Sequence, residues 1–208
     1  QTGQVGPAGI MAVTFTNKAA KEMLTRLSSM LPINTRGMWI GTFHGLCNRL
    51  LRAHHREANL PQLFQILDSA DQLAAIKRLL KTLNVDDEKY PPRELQHFIN
   101  GQKEQGHRPA DVEAWDDFTR RRVELYTEYE AQCQRESVVD FAELLLRTYE
   151  LLRHNEPIRR HYQRRFRHIL VDEFQDTNKL QYRWLKLLAA GDGELPGACL
   201  FCVGDDDQ

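Results

Sequence analysis

His168-Ile169-Leu170-Val171-Asp172-Glu173-Phe174-Gln175-Asp176-Thr177-Asn178 is an apolar run that ends in two adjacent carboxylates, followed at once by residues that cap helices. Ile169, Leu170 and Val171 read as a strand buried on both faces, as in a parallel sheet. The carboxylates emerge at its carboxyl end, where open α/β sheets bind ligands. Neighbouring strand residues point to opposite sides, which suits Asp172 and Glu173 to two different jobs. One carboxylate can hold Mg2+, usually through water, while the other orients or deprotonates an attacking water. Asp176, Thr177 and Asn178 can each accept a bond from an orphan amide and so cap the helix behind them.

Three more segments repeat this design of strand, polar cluster and, in two of them, a helix. Ile10-Met11-Ala12-Val13 leads into Thr14-Phe15-Thr16-Asn17, with Ala20, Leu24, Leu27 and Leu31 at helical spacing behind it. Met38-Trp39-Ile40 leads into Gly41-Thr42-Phe43-His44, with Leu46, Leu50 and Leu51 on the next helix. Leu200-Phe201-Cys202-Val203 leads into Gly204-Asp205-Asp206-Asp207-Gln208. After the carboxylate strand, Leu180, Trp184, Leu185 and Leu188 mark the inward face of a helix. Strands alternating with helices predict an α/β fold with a doubly wound parallel sheet, all four polar clusters on one rim.

Between the second and third units the character changes. Ser69 to Leu83 is amphipathic, with Leu73, Ile76, Leu79, Leu80 and Leu83 on one face. Val123 to Gln134 and Phe141 to Leu152 read as two further helices, and Pro91-Pro92 and Gly106-His107-Arg108-Pro109 as turns. The expected organisation is therefore an all-helical insert, residues 45–165, in an α/β core formed by residues 1–44 and 166–208.

The 208 residues can bury one substantial core, or one core plus an insertion. A net charge of −1 excludes a uniformly basic nucleic-acid-binding domain but leaves room for a local basic groove. No apolar run has the length of a transmembrane helix and no signal peptide is visible, so a soluble intracellular protein with no membrane contact is expected. Cys199 and Cys202 form a C-x-x-C within an apolar run. Three residues apart on a strand, their sulfurs face opposite sides and cannot share a metal, so both read as small core hydrophobes. The basic stretch Arg159 to Arg167, the triplet Arg120-Arg121-Arg122 and Lys103 could attract nucleic acid, but read better as solvated surface. The chain opens at Gln1 and stops at Gln208 directly after three aspartates, which reads as a piece of a larger protein.

Taken together, these strings resemble the motifs of UvrD-like superfamily 1 DNA helicases, in that family's order and across almost the whole chain. Val171-Asp172-Glu173-Phe174-Gln175-Asp176-Thr177-Asn178 resembles the family's ATPase motif, the acidic strand of a P-loop NTPase. Ala12 to Ala20 resembles the motif that touches single-stranded DNA, which implies a stacking role for Phe15 with Thr14, Thr16 and Asn17 near the DNA backbone. A strand-end aromatic is a sequence-neutral platform, although a core role for Phe15 is an equal alternative. Gly41-Thr42-Phe43-His44-Gly45-Leu46 is similar to the next motif, whose Thr and His contact DNA or couple it to the ATP site. Asp140-Phe141-Ala142-Glu143-Leu144-Leu145 is similar to a further signature, in which Asp140 caps a helix. Gly204 to Gln208 resembles the start of the motif that senses nucleotide, with Gln208 near the γ-phosphate.

The resemblance implies a partial RecA-like motor domain with a helical subdomain inserted in it. It also implies ATP and Mg2+ as cofactors, with Asp172 holding the metal, Glu173 handling water and Gln208 reading nucleotide. Thr14, Phe15, Thr16, Asn17, Thr42, Phe43 and His44 would form the DNA contact. The implied activity is ATP-driven 3′ to 5′ translocation on single-stranded DNA with duplex separation, in DNA repair in the bacterial cytoplasm. Single-stranded DNA and single-strand/duplex junctions would be the partners, with repair proteins beside them. A helicase–nuclease subunit of the RecB/AddA type and a non-catalytic DNA-binding piece are the alternatives. The sequence departs from the family pattern: no G-x-x-x-x-G-K-[ST] occurs in it, and the rest of the Gln208 motif and the second motor domain with its arginines are absent, so half an ATP site is expected and the isolated chain should be inactive.

Overall fold

Each of the four apolar runs forms a strand, and the four strands make one sheet. The computed structural model describes residues 6–32 and 34–204. The strands are Ile10–Thr14 (β1), Trp39–Thr42 (β2), His168–Val171 (β5) and Cys199–Cys202 (β6), in the order β2-β1-β5-β6. All three pairings are parallel, with Thr14 beside Thr42, Val13 beside Val171 and Val171 beside Cys202. This register aligns the carboxyl ends, so the clusters that begin at Phe15, Phe43, Asp172 and Val203 open on one rim.

Helices Asn17–Met30 (α1), Phe43–Ala53 (α2) and Lys179–Ala189 (α8) come after β1, β2 and β5. The core is made by Met11, Val13, Ile169 and Val171 from the strands with Phe43, Leu46, Leu50 and Leu51 from α2 and Leu180, Trp184, Leu185 and Leu188 from α8, all buried. Full burial of side chains of this size stabilises by roughly 1.5–3 kcal/mol each. Helix α1 is shallower than its pattern predicts: Ala20 is its one buried residue, and Leu24, Leu27 and Leu31 are half-buried.

The expectation for Cys199 and Cys202 is overturned. They do lie on a strand, but both are exposed, as are Leu200, Phe201 and Val203. Among the described residues β6 is the edge of the sheet, and its side chains are only partly covered. Apolar composition marked the strand correctly and could not reveal its place in the sheet.

The chain divides into two compact units, one comprising residues up to Ala53 and from Thr148 onward, the other His54–Arg147. The second lies within the 45–165 span read from the sequence. It contains Ser69–Thr82 (α3), Pro92–Glu104 (α4), Asp117–Glu136 (α5) and the start of Phe141–His154 (α6). Its core joins Ile76, Leu79 and Leu80 to Leu95, Ile99, Leu125, Tyr126 and Tyr129. Two features depart from expectation. A short parallel pair, Gln65–Leu67 (β3) with Val138–Asp140 (β4), interrupts its helical character. Pro91-Pro92 opens α4 instead of marking only a turn, because proline at the first helical position gives up an amide that would be unpaired anyway.

Arg120, Arg160 and Arg164 are exposed, as the solvated-surface reading expects, while Lys103 is not. Lys103 is 2% exposed and its Nζ lies 2.8 Å from Asp140 Oδ2 and 3.6 Å from Glu143 Oε2. Arg122 lies over the rings of Phe98 and Phe118, and Arg120 and Arg121 pair with Asp117 and Glu124. Within and just after Glu156–Arg165 (α7), Arg159 donates to the carbonyls of Leu152 and Arg153 and Arg164 pairs with Asp192 and Glu194. Arg165 donates to the carbonyls of Ala8 and Gly37, and Arg167 to that of Pro196. Ala8, Gly37 and Pro196 precede β1, β2 and β6, so these two arginines fasten the amino edge of the sheet, opposite the rim of polar clusters.

Candidate active site and nucleic-acid interface

Regular strand geometry ends at Val171. The Asp172 amide donates to the Val13 carbonyl at 3.0 Å, which fixes the strand end to β1. Asp172 Oδ1 then accepts from the Glu173 amide at 3.0 Å. Glu173 adopts φ 52°, ψ 47°, left-handed backbone that costs a non-glycine residue roughly 1–2 kcal/mol. The other described non-glycine residues with positive φ are Asn59, Asn84 and Ser137; asparagine is enriched in this region, and Ser137 ends α5. The alternation argument therefore stops short of the pair: Glu173 is aimed by a strained turn and not by the pleat. Asp172 is half-buried and Glu173 is exposed.

The next five residues lock this turn. Phe174–Asp176 forms a 3-10 turn, the Phe174 amide donates to the Val203 carbonyl at 2.9 Å, and Thr177 Oγ1 donates to the Phe174 carbonyl. Asn178 and Gln181 form a reciprocal capping box: Asn178 Oδ1 accepts from the Gln181 amide and Gln181 Oε1 from the Asn178 amide. Asn178 thus caps α8, Thr177 braces the turn, and the Asp176 amide closes it on the Glu173 carbonyl. A Cβ on Gly204 would lie 2.6 Å from Gln175 Oε1, so the β6 end approaches the carboxylate loop at a residue without a side chain. Asp205–Gln208, including the candidate nucleotide sensor Gln208, lie outside the described residues.

At the end of β1, Thr16 Oγ1 accepts from the Ala19 amide at 3.1 Å and caps α1, leaving Thr16 and Asn17 exposed at its amino end. Thr14 is 0% exposed and its hydroxyl donates to the Thr16 carbonyl. Its side chain shapes the turn and has no surface for a DNA contact, contrary to expectation. At the end of β2, Thr42 Oγ1 accepts from the Gly45 amide at 3.0 Å at the start of α2. His44 is half-buried, and burial lowers its pKa, so at neutral pH it presents a neutral imidazole. Phe43 is 1% exposed and belongs to the core, which removes its ring from the expected DNA contact. Phe15 is half-buried, and its ring meets Phe43 edge-on at 5.5 Å. The two readings of Phe15 merge: one part of the ring rests on the core and the remainder faces out.

The rim thus gathers Phe15, Thr16, Asn17, Thr42 and His44 on the β1–β2 side and Asp172 with Glu173 at β5. Sequence reasoning passed over Gln175 and Tyr182, whose ring lies 6.5 Å from that of Phe174. Their signal was present, since both flank the capping box, but an exposed Gln or Tyr near a helix start carries little information alone.

A four-stranded parallel α/β sheet with helices behind its strands is consistent with a partial RecA-like helicase domain. The chain belongs to the UvrD/REP helicase N-terminal domain family, whose profile matches residues 1–208. It is 51% identical to DNA helicase II of Escherichia coli K12, over 97% of this chain and 28% of that protein. It is 52% identical to DNA helicase II of Haemophilus influenzae, over 98% of this chain and 28% of that one. It is 37% identical to the ATP-dependent DNA helicase PcrA of Staphylococcus aureus Mu50, over 98% and 28% respectively. The chain spans less than a third of the length of these relatives.

Proposed function

We propose that this chain is most of the first motor domain of an ATP-dependent DNA helicase, with His54–Arg147 as its inserted subdomain. The whole protein would move 3′ to 5′ on single-stranded DNA and separate duplex ahead of it, in DNA repair. The observation that carries this reading is the shared rim: register sets the strand ends of β1, β2 and β5 side by side. A nucleotide-dependent shift at the carboxylates then changes the grip of Phe15, Thr16, Asn17, Thr42 and His44 on a DNA strand.

The donor set fits Mg2+ bound with nucleotide. Among the described residues no three His, Cys, Asp or Glu side chains converge as ligands, and Mg2+ at phosphate sites is held by one or two carboxylates with water and phosphate oxygens. Asp172, fixed to β1 through its amide, is the carboxylate that would hold it. Bound Mg2+ supplies charge neutralisation at the transferred phosphate. Glu173, exposed beside it on a braced turn, orients the attacking water and accepts its proton. Gln208 is assigned to sensing the γ-phosphate. The 208 residues alone lack a glycine-rich phosphate cradle and do not turn over ATP.

In the full-length parent, ATP hydrolysis should be stimulated by single-stranded DNA, and a duplex with a 3′ tail should unwind where one with a 5′ tail does not. Asp172→Ala should weaken Mg2+-nucleotide binding. Hydrolysis indifferent to DNA, together with unimpaired nucleotide binding by Asp172→Ala, would reject this function.

A further inference from the structure

Two ring contacts connect the candidate DNA platform to α8, and a third connects α8 to the carboxylate loop. The half-buried ring of Phe15 meets Phe43 edge-on at 5.5 Å, and Phe43 meets Trp184 edge-on at 5.7 Å. Phe43 and Trp184 are 1% and 0% exposed, so neither ring can move without its neighbours. Trp184 lies on α8, and two residues earlier Tyr182 sets its ring 6.5 Å from Phe174, the residue directly after Glu173. The capping box of Asn178 and Gln181 makes the carboxylate loop continuous with the same helix.

Trp184 is an unexpected choice for a purely packing role. Its indole Nε1 is buried and has no hydrogen-bond partner among the described residues. An aliphatic side chain would fill the core without stranding a donor, so the property that indole adds is a broad, rigid ring against Phe43. Tyr182 is 50% exposed, so burial does not account for its aromatic ring either.

Resting on the helicase reading above, we infer that α8 is the connector between DNA occupancy and the carboxylate turn, with Trp184 and Tyr182 as positioning residues at its two contacts. A base on Phe15 presses that ring onto Phe43 and Phe43 onto Trp184. The displacement of α8 reaches Glu173 through Tyr182 and Phe174. Glu173 stands in strained left-handed backbone, so a small shift of the adjoining turn changes where its carboxylate points. Trp184 is fully buried and out of reach of either ligand, and Tyr182 acts in this reading through Phe174 alone, so their loss should uncouple the two events while leaving each in place.

The test uses the full-length parent and measures ATP turnover with and without saturating single-stranded DNA, beside DNA affinity by fluorescence anisotropy. Tyr182→Ala, at an exposed position, keeps the fold. It should retain basal turnover and DNA affinity while DNA stimulation falls about 5-fold or more, the lower bound of ordinary coupling between sites. Trp184→Leu should do the same, and Trp184→Phe and Tyr182→Phe, which keep the rings, should restore most of the stimulation. A wild-type parent without DNA stimulation would overturn the functional reading and the connector with it. Full stimulation in wild type and in both Tyr182→Ala and Trp184→Leu would overturn the connector alone. So would a loss of stimulation fully matched by a loss of DNA affinity, because the two residues would then only support the grip.

Discussion

Replacing Lys103 by methionine removes one charge from the most buried ionic cluster among the described residues and keeps all but the terminal atom of the side chain's length. Lys103 and Asp140 are 2% and 1% exposed with 2.8 Å between Nζ and Oδ2. Burial opposes the ammonium, but Asp140 and Glu143 outweigh it and raise its pKa above the ordinary lysine value. Asp140 is otherwise well satisfied: Tyr129 donates to Oδ2 at 2.6 Å, Gln72 at 3.3 Å, and the Glu143 amide to Oδ1 at 2.7 Å. Lys103→Met leaves that carboxylate buried with neutral donors alone, and breaking a buried pair in this way costs about 3–5 kcal/mol. At about 2–4 °C per kcal/mol for a chain of this size, the melting midpoint should fall by roughly 6–20 °C. Adding Asp140→Asn removes the stranded charge and keeps an acceptor for the Glu143 amide. The double variant should therefore melt above Lys103→Met. Thermal melting tracked by far-UV circular dichroism reads both. A Lys103→Met variant that melts with the parent, or a double variant that melts lower still, would refute the reasoning.

Three further outcomes rest on the same geometry. Burial opposes ionisation of Glu143, but Lys103, Arg108 and Arg147 hold its pKa down at about 2, against an ordinary 4.5. The stability it contributes is therefore complete above about pH 4.5 and lost as pH falls from there towards 2; a Glu143→Gln variant should show a flatter acid limb in pH-dependent melting. Glu173→Gly should melt higher than the parent by releasing left-handed strain worth roughly 1–2 kcal/mol, and a lower midpoint would show that the carboxylate itself stabilises the turn. Phe15→Ala in the full-length parent should weaken single-strand binding by about 1–3 kcal/mol, one base–aromatic stack, and anisotropy titrations that show unchanged affinity would confine the ring to packing against Phe43.

The parts legible in the sequence are those where one local pattern fixes one outcome. An apolar run of about four residues with Thr, Gly or Asp behind it identified β1, β2, β5 and β6, and parallel pairing then placed their ends together without further information. Phe43 was misjudged because a residue at a strand end can equally begin the next helix, and only the three-dimensional packing shows that α2 turns its ring inward. Lys103 was misjudged for a related reason. Sequence gives its charge, whereas its partner Asp140 is 37 positions away and reaches it only once β4 pairs with β3. The pair β3–β4 was missed because three-residue strands carry too little periodicity to read. The arginines of α7 were legible as cations, but most of their acceptors are backbone carbonyls, which no sequence pattern marks.

Glu173→Gln in the full-length parent isolates the assigned role of Glu173 in handling the attacking water at a DNA-driven ATP site. Gln keeps the size and the hydrogen-bonding reach of Glu and cannot accept the proton. Turnover stimulated by single-stranded DNA should fall by about 10²–10⁴-fold, the usual contribution of a positioned base. Equilibrium binding of nucleotide and of DNA should stay at parental levels. Turnover within a few-fold of the parent in a variant that binds both would contradict the account.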